Sequence, residues 1–236
     1  MTSSMKPKNW LESLNCAIEG ILWATGSQRH LRYHFLAAIA VLLIALVLRL
    51  SALDFILLAF AITLVLFAEL ANTAIEAVVD LVSPEYHPLA KRAKDVAAGA
   101  VLVASFGAVV MGFFAFSHHF FPAVEAELGK REPLVPIVSV ISLIVVVIVV
   151  VLMKSRFGRG TPLHGGMPSG HAAVSFSIAF SVLLAQPGVV LTCLVFLVAF
   201  LVSHSRLLLG IHTHGEVFAG AVIGTLVTLF IYLIFN

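Results

Sequence analysis

Seven long apolar stretches, near residues 33–51, 54–80, 96–116, 134–153, 170–187, 189–205 and 217–235, leave this chain few ways to fold. Most approach or exceed the about 20 residues that a helix, rising about 1.5 Å per residue, needs to cross a bilayer. The chain is 61% hydrophobic and only 11% charged, with a mean hydropathy of +1.09, which excludes a soluble globular domain. It reads as an all-α polytopic membrane protein, an amphipathic surface helix followed by seven transmembrane helices. In the surface helix, Trp10, Leu11, Leu14, Ala17, Ile18, Ile21 and Leu22 recur at helical spacing, with Lys8, Glu12, Ser13 and Glu19 between them. A soluble helix packed on the end of the bundle is the alternative. No apolar core of the signal-peptide kind occurs before residue 30, so no cleavage is expected. Cys16 and Cys193 are too differently placed to pair, have no metal-ligand neighbours, and read as structural.

Two polar clusters stand where apolar segments of the C-terminal half end. One is Pro168-Ser169-Gly170-His171; the other runs from Ser205-Arg206 to His212-Thr213-His214-Gly215-Glu216. Together they describe a phosphate site with a nucleophile. His212 and Glu216 are four apart and would share a face of a helical turn. A carboxylate there holds one imidazole nitrogen protonated and leaves the other to attack phosphorus. Ser169, Gly170 and His171 would present backbone N–H groups at a helix start, where an anion is favoured. A polar loop whose histidines cap helix ends is the competing reading.

Pro-Ser-Gly-His followed by Ser-Arg-x5-His-x3-acid resembles the type-2 phosphatidic acid phosphatase family. The resemblance implies His212 as phosphohistidine nucleophile, His171 as general acid on the leaving oxygen, and Arg206 as phosphate clamp, with Glu216 in place of the usual Asp. The family's Lys-x6-Arg-Pro motif reads here from Lys154 to Thr161-Pro162, so its arginine is absent from the usual slot. Arg159 or Arg156 would have to reach the phosphate instead. No cofactor is expected for this half.

The stretch 54–80 carries Glu69, Asn72, Glu76 and Asp80. At 100° per residue they fall within an arc of roughly 80°, one polar stripe along a helix. Carboxylates near hydrocarbon are costly and read first as functional. Ser83-Pro84-Glu85-Tyr86-His87-Pro88 follows, then Lys91, Arg92, Lys94 and Asp95. Carboxylates able to hold Mg²⁺ beside cations able to hold phosphates suit phosphoryl transfer from a nucleotide. The chain has neither a P-loop nor a kinase-type glycine loop. Hydrogen bonding between helices of an oligomer is the alternative use of the stripe.

The run from Glu69 to Asp80, with Glu85-Tyr86-His87-Pro88-Leu89-Ala90 and Ala93-Lys94-Asp95, resembles the small bacterial integral-membrane diacylglycerol and undecaprenol kinases over about residues 10–120. It implies three-helix protomers that trimerise, MgATP as phosphoryl donor, Glu69 as general base on the lipid hydroxyl and Glu76 as metal ligand. Glu85, Tyr86, His87, Lys94 and Asp95 would surround the nucleotide. Where some members place a metal-binding Glu on the surface helix, this chain has Gln28, whose amide oxygen brings no charge. The wording Tyr-His-Pro-Leu-Ala-Lys looks more like the undecaprenol branch.

The expected organisation is a kinase-like module over 1–120, a linker over 121–133 and a phosphatase-like module over 134–236, with three and four membrane helices respectively. His118 and His119 at the junction read as an interfacial cap rather than a metal site. Counting crossings puts 81–95, 154–169 and 203–216 on one face. Eleven of the fourteen Lys and Arg lie on that side, marking it as cytoplasmic in a bacterial inner membrane. The whole reads as a bifunctional enzyme that phosphorylates a lipid alcohol, undecaprenol favoured and diacylglycerol possible, and hydrolyses a lipid phosphate or diphosphate. Undecaprenyl diphosphate is the favoured substrate of the second activity. Lipids and ATP are the expected partners, with a homo-oligomer and no nucleic acid. A lipid phosphatase whose N-terminal half is only a trimerising scaffold is the alternative, and an ion path along the polar stripe a third.

Overall fold

A computed structural model describes residues 9–120, 135–157, 165–186 and 188–235. Among these, eight α-helices and no strand occur: α1 Trp10–Ser27, α2 Arg29–Val47, α3 Ala52–Val82, α4 Pro88–Phe120, α5 Val135–Phe157, α6 Gly170–Ala185, α7 Val189–Leu208 and α8 His214–Phe235. Contacts divide the chain into two compact units, Met1–Pro122 and Ala123–Asn236. Arg159 and Thr161 lie outside the described residues.

Six of the helices, α2, α3, α4, α5, α7 and α8, are long and apolar enough to cross a membrane. The seventh expected span is the 16-residue α6, about 24 Å long at the helical rise. The chain turns left-handed at Gln186, φ +50°, just before Pro187-Gly188, a pair that favours a turn over further helix. Other ends also shift from the apolar runs. Helix α4 starts at Pro88, a residue suited to the first helical position, so its cationic first turns are helical although they are not apolar.

Helix α1 is capped by Asn9, whose side chain accepts from Glu12 N–H. Only Ala24 of α1 is buried, and Trp10, Leu11 and Leu22 stand exposed. Such an apolar face suits a helix lying along a membrane surface better than one packed on a bundle. Cys16 and Cys193 are both free and exposed, and among the described residues neither joins a metal-ligand group.

In the first unit, α3 and α4 pair closely and α2 rests on α3; Leu31, Ala38 and Ala45 of α2, one residue in every seven, are buried. Ala45, Leu58 and Ala115 form the core near the far end from residue 28. Side chains this small bring helices close without a large apolar core.

In the second unit, α6 and α8 make the tightest crossing. A methyl group at Gly220 would collide with the Ser169 carbonyl, and one at Gly224 with the Ala173 carbonyl. Two glycines four apart therefore let one backbone lie on another, as in close membrane helix pairs. Further along the same seam, Ser177 and Thr228 share a buried hydrogen bond of 2.8 Å. Ser139 of α5 meets the Tyr232 hydroxyl at 2.6 Å. Ser169, the residue that opens α6, is thereby fixed against α8.

Candidate functional sites

Two polar sites result, one in each unit. In the second unit, the chain between α7 and α8 does most of the positioning. Gly210, at φ +64°, ends α7 in a Schellman turn: Ile211 N–H bonds Arg206 C=O at 3.1 Å and Gly210 N–H bonds Leu207 C=O at 3.0 Å. His212 N–H also bonds the Arg206 carbonyl, at 3.2 Å. The five residues between Arg206 and His212 are thus the length of a helix stop that folds His212 back beside the arginine.

Thr213 and Glu216 then start α8 as a capping box. Thr213 N–H bonds Glu216 Oε2 at 3.0 Å, and Glu216 N–H bonds Thr213 Oγ1 at 3.4 Å. The same Oε2 meets His212 Nδ1 at 2.9 Å. His212 precedes the helix rather than lying on it, so the contact comes from the cap, not from a shared helical face. The carboxylate also accepts from Gly166 N–H, and Ser169 N–H bonds the Glu216 backbone carbonyl at 2.9 Å. Glu216 therefore joins both sequence clusters.

The His212 side chain is 1% exposed with Nδ1 bound to the carboxylate. That leaves Nε2 as the nitrogen able to react. His171, in the first turn of α6, lies within electrostatic reach of Arg206, His212 and Lys154. Ser169 is fully buried and its hydroxyl has no partner among the described residues, and Gly170 N–H opens α6 beside it. Lys154 reaches in from the end of α5, its ammonium bonding Gly165 C=O at 3.3 Å. Arg206 donates from Nε to Ser205 Oγ at 3.2 Å, while Arg156 stands exposed on the last turn of α5. Two cations, a helix start and an unsatisfied hydroxyl beside a held imidazole suit a tetrahedral oxyanion under attack. His214 is exposed on α8 and takes no part.

In the first unit the stripe of α3 is graded in depth. Glu69 is 5% exposed, Asn72 and Glu76 half-buried, and Asp80 exposed. Gln28, at the break between α1 and α2, donates from Nε2 to Glu76 Oε2 at 3.1 Å. Asn72 donates from Nδ2 to Glu76 Oε1 at 3.0 Å, and its Oδ1 is buried with no partner among the described residues. An unpartnered amide oxygen beside a carboxylate offers the hard oxygen donors Mg²⁺ takes. Among the described residues no group of three or more His, Cys, Asp or Glu gathers as a metal cluster. The set fits an ion that arrives with ligands of its own, as Mg²⁺ does on nucleotide phosphates.

Lys94 of α4 pairs with Asp80 at 2.5 Å, and Lys91 with Asp95 at 2.6 Å. Glu85, Tyr86 and His87 are exposed in the connection between α3 and α4. There His87 caps α4, its Nδ1 accepting Leu89 N–H at 3.2 Å and its carbonyl accepting Lys91 N–H at 3.0 Å.

Sequence reasoning passed over His34, whose Nε2 lies 3.0 Å from Glu69 Oε1. The two residues sit on different helices with no fixed spacing, and the one available signal was an ionisable group inside an apolar stretch. His34 also lines an apolar cleft of about 150 Å³ between α2, α3 and α4, with Val41, Leu58, Leu66 and Phe116 among its walls.

Comparison with known proteins matches the two halves of the chain separately. A family model described as prokaryotic diacylglycerol kinase matches residues 15–116, and one described as the PAP2 superfamily matches residues 137–236. Over its N-terminal half the chain is similar to a diacylglycerol kinase of Synechocystis sp., 47% identical over 105 residues, 44% of this chain and 60% of that protein. It is similar to the undecaprenol kinase of Bacillus subtilis, 40% identical over 96 residues, 40% of this chain and 78% of that one. The diacylglycerol kinase of Escherichia coli is 36% identical over 102 residues, 43% of this chain and 84% of that one. No solved structure matches the chain.

Proposed function

We propose that this chain, which belongs to the prokaryotic diacylglycerol kinase family across its N-terminal half and carries a PAP2 superfamily domain in its C-terminal half, is a bifunctional membrane enzyme of lipid-phosphate metabolism. Residues 1–120 form the kinase module, 121–133 a linker and 134–236 the phosphatase module. The observation that carries the reading is the His212–Glu216 contact at 2.9 Å. It fixes one nitrogen of a buried imidazole and leaves the other beside two cations and a helix start.

In the phosphatase module His212 Nε2 attacks phosphorus as the bond to the leaving oxygen breaks, and His171 gives that oxygen its proton. Arg206, Lys154 and the N–H groups that open α6 take the charge gathering on the phosphoryl oxygens. Arg159, which follows α5 in the sequence, is the further cation assigned to this phosphate. His171 then takes a proton from water, whose oxygen attacks the phosphohistidine; phosphate leaves and His212 is restored. Each of these steps is served by side chains and backbone, without a metal.

In the kinase module Glu69 accepts the proton of the lipid hydroxyl while that oxygen bonds the γ-phosphorus of ATP and ADP departs. Glu76, Asn72 and Gln28 would hold Mg²⁺, which supplies charge neutralisation on the phosphates when bound. Glu85, Tyr86, His87, Lys94 and Asp95 line the nucleotide, Asp80 holding Lys94 in place. This module trimerises, as the resemblance to three-helix kinases implies.

Undecaprenol is the preferred alcohol and undecaprenyl diphosphate the preferred phosphatase substrate. The two reactions then converge, since phosphorylating the alcohol and removing one phosphate from the diphosphate both yield the monophosphate. Sharing a monophosphate substrate would instead set the halves against each other. The bacterial inner membrane, with both sites open to the cytoplasm, follows from the placing of Lys and Arg. Labelling of single cysteines at residues 86 and 214 in intact cells tests that topology; labelling by an impermeant reagent at either would contradict it. Purified protein given MgATP with undecaprenol or diacylglycerol, and separately undecaprenyl diphosphate, tests the activities. Turnover of the diphosphate alone would leave the N-terminal half a scaffold.

A further inference from the structure

We propose that His34 is a positioning residue for the lipid-kinase reaction, holding the carboxylate of Glu69 in the attitude in which it receives the hydroxyl proton. The inference rests on the reading of Glu69 as the base and adds the group that makes that carboxylate usable.

Glu69 is 5% exposed in the middle of an apolar helix. A buried carboxylate needs hydrogen bonds to replace those of water. The obvious donor on its own helix, the amide of Asn72 one turn on, is given to Glu76. Thr73, also buried, spends its hydroxyl on the Glu69 backbone carbonyl at 2.9 Å. Among the described residues the side chain of Glu69 has one polar contact, the 3.0 Å approach of His34 Nε2 to Oε1. An ionised carboxylate only accepts, so a hydrogen bond across this 3.0 Å approach needs the proton on Nε2. With Oε1 occupied, Oε2 is the oxygen left for the substrate.

The position of the histidine supports the same role. Its side chain keeps 31% exposure while that of Glu69 keeps 7%. Of all the side chains lining the cleft between α2, α3 and α4, His34 alone is polar. It therefore stands between an apolar space suited to a lipid chain and the carboxylate that would act on the chain's hydroxyl. Without the histidine, the Glu69 side chain rotates about its last bonds, and general-base efficiency falls because reach and alignment are lost together. The hydroxyl proton still passes to Glu69 Oε2 as oxygen bonds phosphorus and ADP leaves; His34 keeps its own proton throughout.

The test uses the full chain in lipid–detergent micelles with MgATP and undecaprenol or diacylglycerol. His34→Leu is expected to lower kcat on the order of 100-fold with KM for MgATP unchanged. His34→Gln, whose amide N–H can reach Oε1, should recover most of that loss. In a Glu69→Gln background, His34→Leu should cost nothing further. Unfolding midpoints of the single and double variants check the contact itself, which predicts a coupled rather than additive loss. Wild-type kcat in His34→Leu, no rescue by Gln, or additive unfolding effects would each overturn the proposal. Near-normal turnover in Glu69→Gln would instead remove the base and the proposal with it, whereas a dead Glu69→Gln beside an active His34→Leu removes only the proposal.

Discussion

In the proposed function, His212 and Glu69 divide the chemistry residue by residue. Replacing His212 by Ala should abolish phosphatase turnover by several orders of magnitude, because no other group can form the covalent intermediate. Radiolabelled protein quenched in alkaline detergent should show phosphohistidine in the parent and none in the variant, while kinase turnover stays at its original rate. His214→Ala should change little. Glu216 supports a sharper expectation, since one carboxylate serves His212, Thr213 N–H and Gly166 N–H. Glu216→Asp, although it restores the usual acid of the family, is too short to serve all three. It should slow hydrolysis and cost about 0.5–2 kcal/mol as a lost helix cap, read from the unfolding midpoint; unchanged values for both would break the network argument. In the kinase half, Glu69→Gln should bind MgATP normally and transfer almost no phosphate, whereas Glu76→Gln should weaken nucleotide binding itself, measurable by titration calorimetry. Local spacing announced His212 with Glu216, yet for a different reason than the one that holds them, since a Schellman turn and a capping box outrank helical periodicity there. His34 stood out only as an ionisable group in an apolar stretch, because its partner lies on another helix and periodicity is silent about which helices meet.

At the scale of elements, the crossing of α6 and α8 carries the phosphatase site. Ser169 opens α6 against the Glu216 backbone, and Gly220 and Gly224 permit that approach. Gly224→Ala should push the helices apart at about 1–3 kcal/mol, the usual range for overpacking, and lower phosphatase activity without touching the kinase. A variant as stable and active as the parent would show that the seam has slack. Apolar runs located seven of the eight described helices, and amphipathic spacing the first, because hydrocarbon demands length before detail. They misjudged ends, since α4 begins with a proline and a cationic turn, and α6 stops short at a left-handed Gln186. Glycines four apart were visible in the sequence, but only a backbone carbonyl lying on each makes them a contact.

Across the whole molecule, two family matches and two separate polar sites imply two activities with different needs. On the proposed reading, chelating divalent metal should stop the kinase activity, which would use Mg²⁺ on ATP, and spare the phosphatase activity, whose phosphate would be met by Arg206, Lys154 and backbone N–H groups. Equal loss of both activities in EDTA would contradict that division. The two-module character was legible because membrane enzymes must keep carboxylates, histidines and arginines out of lipid-facing positions, so their clusters stand out against an apolar background. Lipid identity was not legible, since the walls of a cleft such as that between α2, α3 and α4 are ordinary aliphatic side chains. The most direct test of the central claim is a crossed assay of three purified proteins, the parent chain, Glu69→Gln and His212→Ala. Each is given labelled ATP with undecaprenol and, separately, undecaprenyl diphosphate. The account predicts undecaprenyl monophosphate from both substrates with the parent, from the diphosphate alone with Glu69→Gln, and from the alcohol alone with His212→Ala. A parent chain that converts neither substrate, or a single substitution that removes both activities while the protein remains folded, would contradict it.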